Sequence, residues 1–327
     1  MKRGFIYELE DWEIDYLKPK LKEFDLRFSK DKLGSSSKIK EIDFLGIFIH
    51  SSIGEKVLDT MPNLKFITTM STGFNHIDFE ACRKRGIIIS NVPSYGENTV
   101  AEHTFGLMLT LSRKLNLAVE STRKSNFDTH GLMGFDLKGK TLGVIGAGHI
   151  GMHVVNMARA FGMHVLVFTR TKDRTLENKL GFRYVSLNEI LEKSDILSLH
   201  VPLTRETKNI IDIKAIKKMK RGSYLINTAR GELIDTKALL YGLKEKIIAG
   251  AALDVIEGEE SLEEHRRKSR NVNAETRVLL ERLHKYNVIV TPHCAFETKE
   301  AIQRILDTTI LNIKAYSRGK PENVVSI

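Results

Sequence analysis

TLGVIGAGHIG, residues 141–151, runs from a short apolar strand pattern into a glycine-rich turn. It continues into MHVVNMARAFG, residues 152–162, where apolar positions recur at helical spacing. Gly146, Gly148 and Gly151 stand in the order G-x-G-x-x-G. The first glycine permits a tight turn, the second lets backbone approach a pyrophosphate, and the third lets the helix pack close to its strand. The helix N-terminus adds N–H groups and partial positive charge. Alone the motif is weak; between a strand and a helix it reads as dinucleotide-binding rather than as a bare glycine turn. His149 and His153 have the i, i+4 spacing of a metal-gripping pair, yet no acidic third ligand or H-E-x-x-H pattern accompanies them, so no metal is expected.

Outward from this stretch, Val165 to Phe168, Ile196 to Leu199, Tyr224 to Asn227, Ile248 to Leu253 and Val288 to Val290 are short, apolar and not alternating. Strands buried on both faces read this way, so the sheet is expected to be mostly parallel and doubly wound. Upstream, strand patterns at Gly4 to Tyr7, Phe44 to Ile49, Leu64 to Thr69 and Ile87 to Ser90 alternate with helical ones at Ile53 to Met61 and Ile77 to Arg85. That alternation predicts a second, smaller α/β unit. TVAEHTFGLMLTLSRKLNLAVEST, residues 99–122, predicts one long helix capped by Asn98 or Thr99, and KEAIQRILDTTILNIKAYSRG, residues 299–319, predicts another ending near Gly319. With long helices on both sides, the glycine-motif unit reads as inserted into the smaller one: residues 1–98 and 299–327 form one domain and 99–298 the other.

The bulk numbers agree. A chain of 327 residues makes about two domains at roughly 150 residues each. With 42% hydrophobic and 28% charged residues, 23 Gly and 6 Pro, it is neither collagenous nor disordered. Two cysteines, Cys82 and Cys294, build no disulfide framework and suggest a reducing cytoplasm. The charged N-terminus is unlike a signal peptide, and no apolar run reaches the length of a membrane span. Fifty-one Lys and Arg against 41 Asp and Glu leave +10, but the charges are interspersed, which favours small anionic ligands over nucleic acid. Residues 257–277 (Glu257 to Arg277) read as a solvated loop or helix.

The chemistry gathers at strand ends. About 20 residues beyond the glycine motif the ribose-binding carboxylate is expected; Thr169 and Arg170 stand there instead. With no carboxylate to repel a 2′-phosphate, and with Arg170 to pair with one, the pair favours NADP; the other reading has Thr169 bonding the NAD ribose and Arg170 stacking on adenine. His200 in SLHVP, Arg230 in LINTARG, Asp254 then Glu259 in LDVIEGE, and His293 in VIVTPH each follow a strand. Ligands of open parallel sheets bind beyond the carboxyl ends of strands, so these side chains should converge. Moving a hydride between nicotinamide and an α-carbon requires a proton donor and acceptor, for which His293 beside Glu259 is suited. Arg230 offers a fork to a 2-keto carboxylate and polarises the carbonyl. Asp254 holds nicotinamide or the backbone around it. Cys294 next to His293 raises a Cys-His nucleophile, which neighbouring strand-end residues pointing apart argue against.

Seven motifs in order, STGFNHID, NVPSYGENTVAEHT, GAGHIG, SLHVP, LINTARGELID, LDVIEGE and TPHCAF, resemble the D-isomer-specific 2-hydroxyacid dehydrogenase family from about residue 40 to the end, with the D-lactate dehydrogenase-like branch nearest. The resemblance implies a Rossmann coenzyme domain inserted into a flavodoxin-like catalytic domain, and a homodimer formed through the coenzyme domains. It implies His293 as acid/base, Glu259 as its partner and Arg230 as substrate anchor. The N–H groups of Thr72 and Gly73 would take the substrate carboxylate, with Tyr95 and Phe296 closing over it. Thr99, His149, Ile150, His200, Pro202, Thr207, Thr228, Ala229 and Asp254 match coenzyme-lining positions. Many members bear Asp where this chain has Thr169. The implied reaction uses NAD or NADP to reduce a small 2-keto acid, pyruvate to D-lactate. A glyoxylate or hydroxypyruvate reductase is the alternative within the class, and an NAD(H)-sensing corepressor-like binding protein the alternative outside it.

Overall fold

The computed structural model describes residues 1–34, 39, 41–259 and 274–325. The loop reading of residues 257–277 therefore falls largely outside the described residues. The chain forms two compact units, one of Met1–Tyr95 with Thr298–Ile327 and one of Gly96–Glu297.

Unit 1 holds five strands, β1 (Arg3–Ile6), β2 (Asp25–Phe28), β3 (Phe44–Ile47), β4 (Phe66–Thr69) and β5 (Ile88–Ser90). They pair in parallel in the order β2-β1-β3-β4-β5, the flavodoxin-like winding. Neighbouring residues of a strand face opposite ways, and the sheet uses both sides. Phe44 and Phe66 pack with Ile305, Leu306, Ile310 and Ile313 of the helix Lys299–Ser317. Leu45 and Ile67 pack on the other side with Ile53, Leu58 and Ile77. Burying four such side chains is worth roughly 1.5–3 kcal/mol each, a sum comparable with the whole stability of about 5–15 kcal/mol of a domain. Unit 1 thus depends on the returning C-terminal segment, whose helix Thr298 caps by accepting a hydrogen bond from the N–H of Ala301.

Unit 2 holds seven parallel strands: β6 (Thr141–Ile145), β7 (His164–Phe168), β8 (Arg183–Tyr184), β9 (Ile196–Leu199), β10 (Ser223–Asn227), β11 (Ile248–Leu253) and β12 (Val288–Val290). Their order, β12-β11-β10-β9-β6-β7-β8, reverses direction between β6 and β9, the Rossmann switch point beside which dinucleotides bind. Leu142, Val144, Ile226 and Ala252 face one core with Ala101, Phe105 and Met108 of the helix Glu97–Arg113. Ile145, Leu197, Leu225 and Leu253 face the other. The α/β fold class expected from the sequence is the one observed.

Local differences have local causes. The helix predicted over residues 99–122 is two, Glu97–Arg113 and Leu115–Arg123, because Lys114 takes a left-handed φ of 50°. The segment Gly131–Phe135 crosses there: the N–H of Phe135 donates to Ser112 O and Lys114 Nζ to Gly131 O, drawing off a carbonyl that a continuing helix would use. The first of these helices starts after Gly96 without a side-chain cap, so neither Asn98 nor Thr99 caps it; Thr99 is buried in its first turn. Only Glu55–Leu58 of the pattern Ile53 to Met61 is helical. The strands β2, a charged edge, and β8, two residues long, were not anticipated.

Candidate active site

In unit 2 the glycine turn has the shape a dinucleotide requires. Gly146 sits at φ +105°, and a Cβ there would strike the carbonyl of His200 at 2.5 Å. A Cβ on Gly151 would lie 2.0 Å from Gly146 O, so helix and turn could not approach as they do. At Gly148 a Cβ would meet nothing within 4 Å, and the helix His149–Ala160 begins there with no side-chain cap. Its first N–H groups, those of His149 and Ile150 among them, are offered to an anion. His149 Nδ1 lies 3.3 Å from Glu97 Oε1, a carboxylate brought from another helix.

Beyond β7, Thr169 is half-buried and Arg170 exposed. The charge of Arg170 helps hold the Glu206 carboxyl below its usual range, after hydrogen bonds from Thr204 and from its own backbone. After β9, Ser198 Oγ lies 2.8 Å from His200 Nε2, and burial pushes the imidazole down to about 4, so His200 is neutral. Thr207 ties the following loop by donating to Pro202 O at 2.6 Å. After β10, buried Asn227 accepts from the N–H of Ala229 and donates to the carbonyl of Arg230, which shapes the turn holding Thr228, Ala229 and Arg230. Arg230 Nη1 donates to Ala229 O at 2.6 Å.

His293 and Glu259 meet: Nδ1 lies 2.8 Å from Oε1, with the side chains 30% and 19% exposed. Burial disfavours the imidazolium, but the hydrogen bond and charge of Glu259, with the charge of Asp254, outweigh both burial and the opposing charge of Arg230. The pKa of His293 is raised as a result. Its backbone holds a left-handed φ of 52°, worth about 1–3 kcal/mol of strain, and its N–H donates to Asp254 O. Phe296 sets its ring at 80° to the His293 ring, centroids 6.4 Å apart.

Asp254, 1% exposed, accepts from Thr291 Oγ1 and from the N–H groups of Cys294 and Ala295. Burial works against its charge, yet these bonds and one from His103 bring its pKa down to about 2. Its carboxylate therefore holds the backbone that follows His293. Cys294 is pushed up by burial and by the Asp254 charge, which leaves it a thiol rather than a nucleophile. His103, Asp254 and Cys294 place ligand-type atoms within 4.8 Å of one another. With the Asp254 oxygens already accepting O–H and N–H donors and Cys294 protonated, that trio is a hydrogen-bonded group.

Unit 1 carries the remaining candidates. Thr72 Oγ1 donates to Val92 O, Asn91 Nδ2 to Thr72 O, and Ser71 Oγ to Gly73 O. The turn is thereby fixed through its oxygens, and the N–H groups of Thr72 and Gly73 have no acceptor among the described residues. The carbonyl of Tyr95 accepts from Arg304 Nε. Sequence reasoning missed Asn227, Ser198, Thr291, His103 and Thr104. Their signal is tertiary, apart from Asn227, whose place before a strand-ending turn was readable.

Among curated relatives, a 2-hydroxyacid dehydrogenase homolog of Haemophilus influenzae is 38% identical over 92% of both chains. A glyoxylate reductase of Thermococcus litoralis is 36% identical over 88% of this chain and 85% of its own length. An aromatic 2-oxoacid reductase of Clostridium sporogenes is 39% identical over 85% and 83%. In structure, the chain is similar to the D-lactate dehydrogenase of Aquifex aeolicus complexed with NAD and lactic acid, with a TM-score of 0.85 and 36% identity over 97% of this chain and 96% of that one. It is similar also to the apo D-lactate dehydrogenase of Escherichia coli, with a TM-score of 0.87 and 31% identity over 99% and 100%. Residues 105–295 match the NAD binding domain of the family itself. A glycine cradle at the switch point, a His-Glu pair at the strand ends and these matches lead to one conclusion: the chain belongs to the D-isomer specific 2-hydroxyacid dehydrogenase family and is an NAD(P)-dependent enzyme of that class.

Proposed function

We propose that this enzyme reduces a small 2-keto acid, with pyruvate to D-lactate as the reaction, and that His293, Glu259 and Arg230 carry it. The single observation that carries the reading is the 2.8 Å contact between His293 and Glu259, which favours a protonated imidazole at the ends of the coenzyme-binding sheet. The bound nicotinamide supplies the hydride. His293 gives a proton to the carbonyl oxygen, Glu259 stabilises the imidazolium and fixes its ring, and Arg230 draws charge from the carbonyl. Thr72 and Gly73 offer two N–H donors suited to a carboxylate, and Tyr95 and Phe296 supply aromatic bulk that suits a small, uncharged substituent. In unit 2 the coenzyme is assigned to Gly146, Gly148, Gly151 and the residues read as lining it, from Thr99 to Asp254. Chiral analysis of the product from pyruvate tests the reading: D-lactate supports it, and L-lactate or no product on pyruvate alone removes it.

For the coenzyme we favour NADP over NAD, on Thr169 and Arg170. Thr169→Asp is expected to lower the NADPH-to-NADH ratio of kcat/KM by at least about tenfold, since a carboxylate near a 2′-phosphate costs on the order of 1.4 kcal/mol or more. An unaltered ratio would show that the ribose is read elsewhere.

We also infer a homodimer through unit 2. Leu115, Leu117, Val119, Phe127 and Met133 are 47%, 41%, 50%, 82% and 88% exposed within nineteen residues, a concentration of apolar surface that a second copy would cover. Light scattering should give twice the chain mass, falling toward one chain mass in a Leu117→Glu, Val119→Glu variant; a monomeric wild type contradicts the inference.

A further inference from the structure

The helix Glu97–Arg113 packs against β10 and β11, the strands that lead into the Arg230 turn and into Asp254. Consecutive helix residues point about 100° apart, so His103 and Thr104 reach different neighbours. His103 Nε2 lies 3.3 Å from Thr291 Oγ1 and 3.5 Å from Asp254 Oδ1. Thr291 spends its own hydroxyl proton on Asp254 Oδ1, so His103 is the donor in this contact, with its proton on Nε2. Asp254 in turn holds the N–H groups of Cys294 and Ala295, the two residues after His293. Thr104, fully buried, gives its proton to Val100 O at 2.8 Å, so across the 3.0 Å contact with Thr228 it accepts and Thr228 donates. Thr228 is two residues before Arg230, in the turn that Asn227 shapes.

We propose that His103 and Thr104 are positioning residues, one bracing through Thr291 and Asp254 the segment that carries His293, the other bracing through Thr228 the turn that carries Arg230. One short stretch of one helix thereby sets the spacing between the proton donor and the group that polarises the carbonyl. Neither residue touches substrate; both act through residues that hold those two groups. This rests on the roles proposed above for His293 and Arg230. A displacement of the order of 1 Å at a reacting group costs about 100-fold in rate; through His293 the effect should fall on kcat, and through the Arg230 turn it should fall on kcat and on the keto-acid KM together.

The test uses four variants of the full chain, with steady-state kinetics and amide hydrogen exchange. His103→Phe keeps a ring and removes the donor; Thr104→Val keeps the shape and removes the hydroxyl. Each is expected to lower kcat about 10- to 100-fold; His103→Phe should leave both KM values within about threefold, and Thr104→Val should raise the keto-acid KM as well. His103→Gln and Thr104→Ser, which restore the polar atoms, should recover most of the rate. Exchange should quicken at Cys294 and Ala295 in His103→Phe and at Ala229 in Thr104→Val. If His103→Phe does not fold, His103→Asn, shorter but polar, carries the same expectation. Unchanged kcat, or losses that the conservative variants do not recover, overturn the proposal. If wild type turned over no 2-keto acid, the functional reading would fall, whereas unchanged exchange at Cys294, Ala295 and Ala229 would still overturn the brace.

Discussion

His293→Asn is expected to lower kcat for keto-acid reduction by about 10²- to 10⁴-fold, the range a general acid contributes, with little change in coenzyme affinity. The replacement fits a position whose left-handed backbone Asn tolerates better than most residues, so the fold is retained while the acid is lost. Glu259→Gln is a milder version of the same experiment. In wild type the Glu259 bond and charge outweigh burial and raise the His293 pKa. The protonated form is the acid, so kcat/KM for reduction holds at low pH and falls as pH rises through that raised pKa. In Glu259→Gln burial is no longer opposed by the carboxylate, and the fall should move to lower pH. Wild-type activity in His293→Asn, or coincident pH profiles, would remove the pair from the chemistry.

Arg230→Ala is the second large effect. Removing a donor aimed at developing charge on oxygen costs about 10²- to 10³-fold in kcat, and loss of the carboxylate anchor should raise KM for the keto acid as well. Coenzyme KM should change much less than keto-acid KM, since the dinucleotide is assigned to the glycine turn and to Arg230's neighbours Thr228 and Ala229 rather than to the Arg230 side chain. Arg230→Lys should recover only a small part, because an ammonium keeps the charge and loses the planar fork. Because the Arg230 charge opposes protonation of His293, Arg230→Ala should also move the pH profile upward, while Arg230→Lys, which keeps the charge, should leave it in place. A wild-type rate in Arg230→Ala, or a change confined to coenzyme KM, would discard Arg230 as carbonyl polariser.

The two sheets were legible because their signals are local. Runs such as Thr141 to Ile145 and Ile248 to Leu253 are apolar without alternation, which only strands covered on both faces require. The glycine turn is equally local: a φ of +105° at Gly146 and the contact at Gly151 are needs that other residues cannot meet. The strand-end residues could be picked out because topology sends strand ends to one edge. What escaped was set by distant partners. The break at Lys114 depends on a segment some twenty residues later crossing the helix end. The Glu97 carboxylate beside His149 comes from another helix, and nothing in the spacing of His149 and His153 announces it. His103 and Thr104 sit in what reads as an ordinary amphipathic helix; only packing against β10 and β11 gives them work. The role of Asp254 was half legible, because its position at a strand end shows where it lies but not that Cys294 and Ala295 already claim its oxygens.

The most direct test of keto-acid reduction is oxidation of NADH and NADPH by the wild-type enzyme, followed at saturating coenzyme with pyruvate, glyoxylate, hydroxypyruvate, phenylpyruvate and oxaloacetate. Turnover is expected with kcat/KM highest on pyruvate and with a preference for NADPH. Coenzyme binding without oxidation on any of these acids would contradict it and point to the sensor reading, while a clear maximum on glyoxylate or phenylpyruvate would keep the chemistry and overturn the substrate.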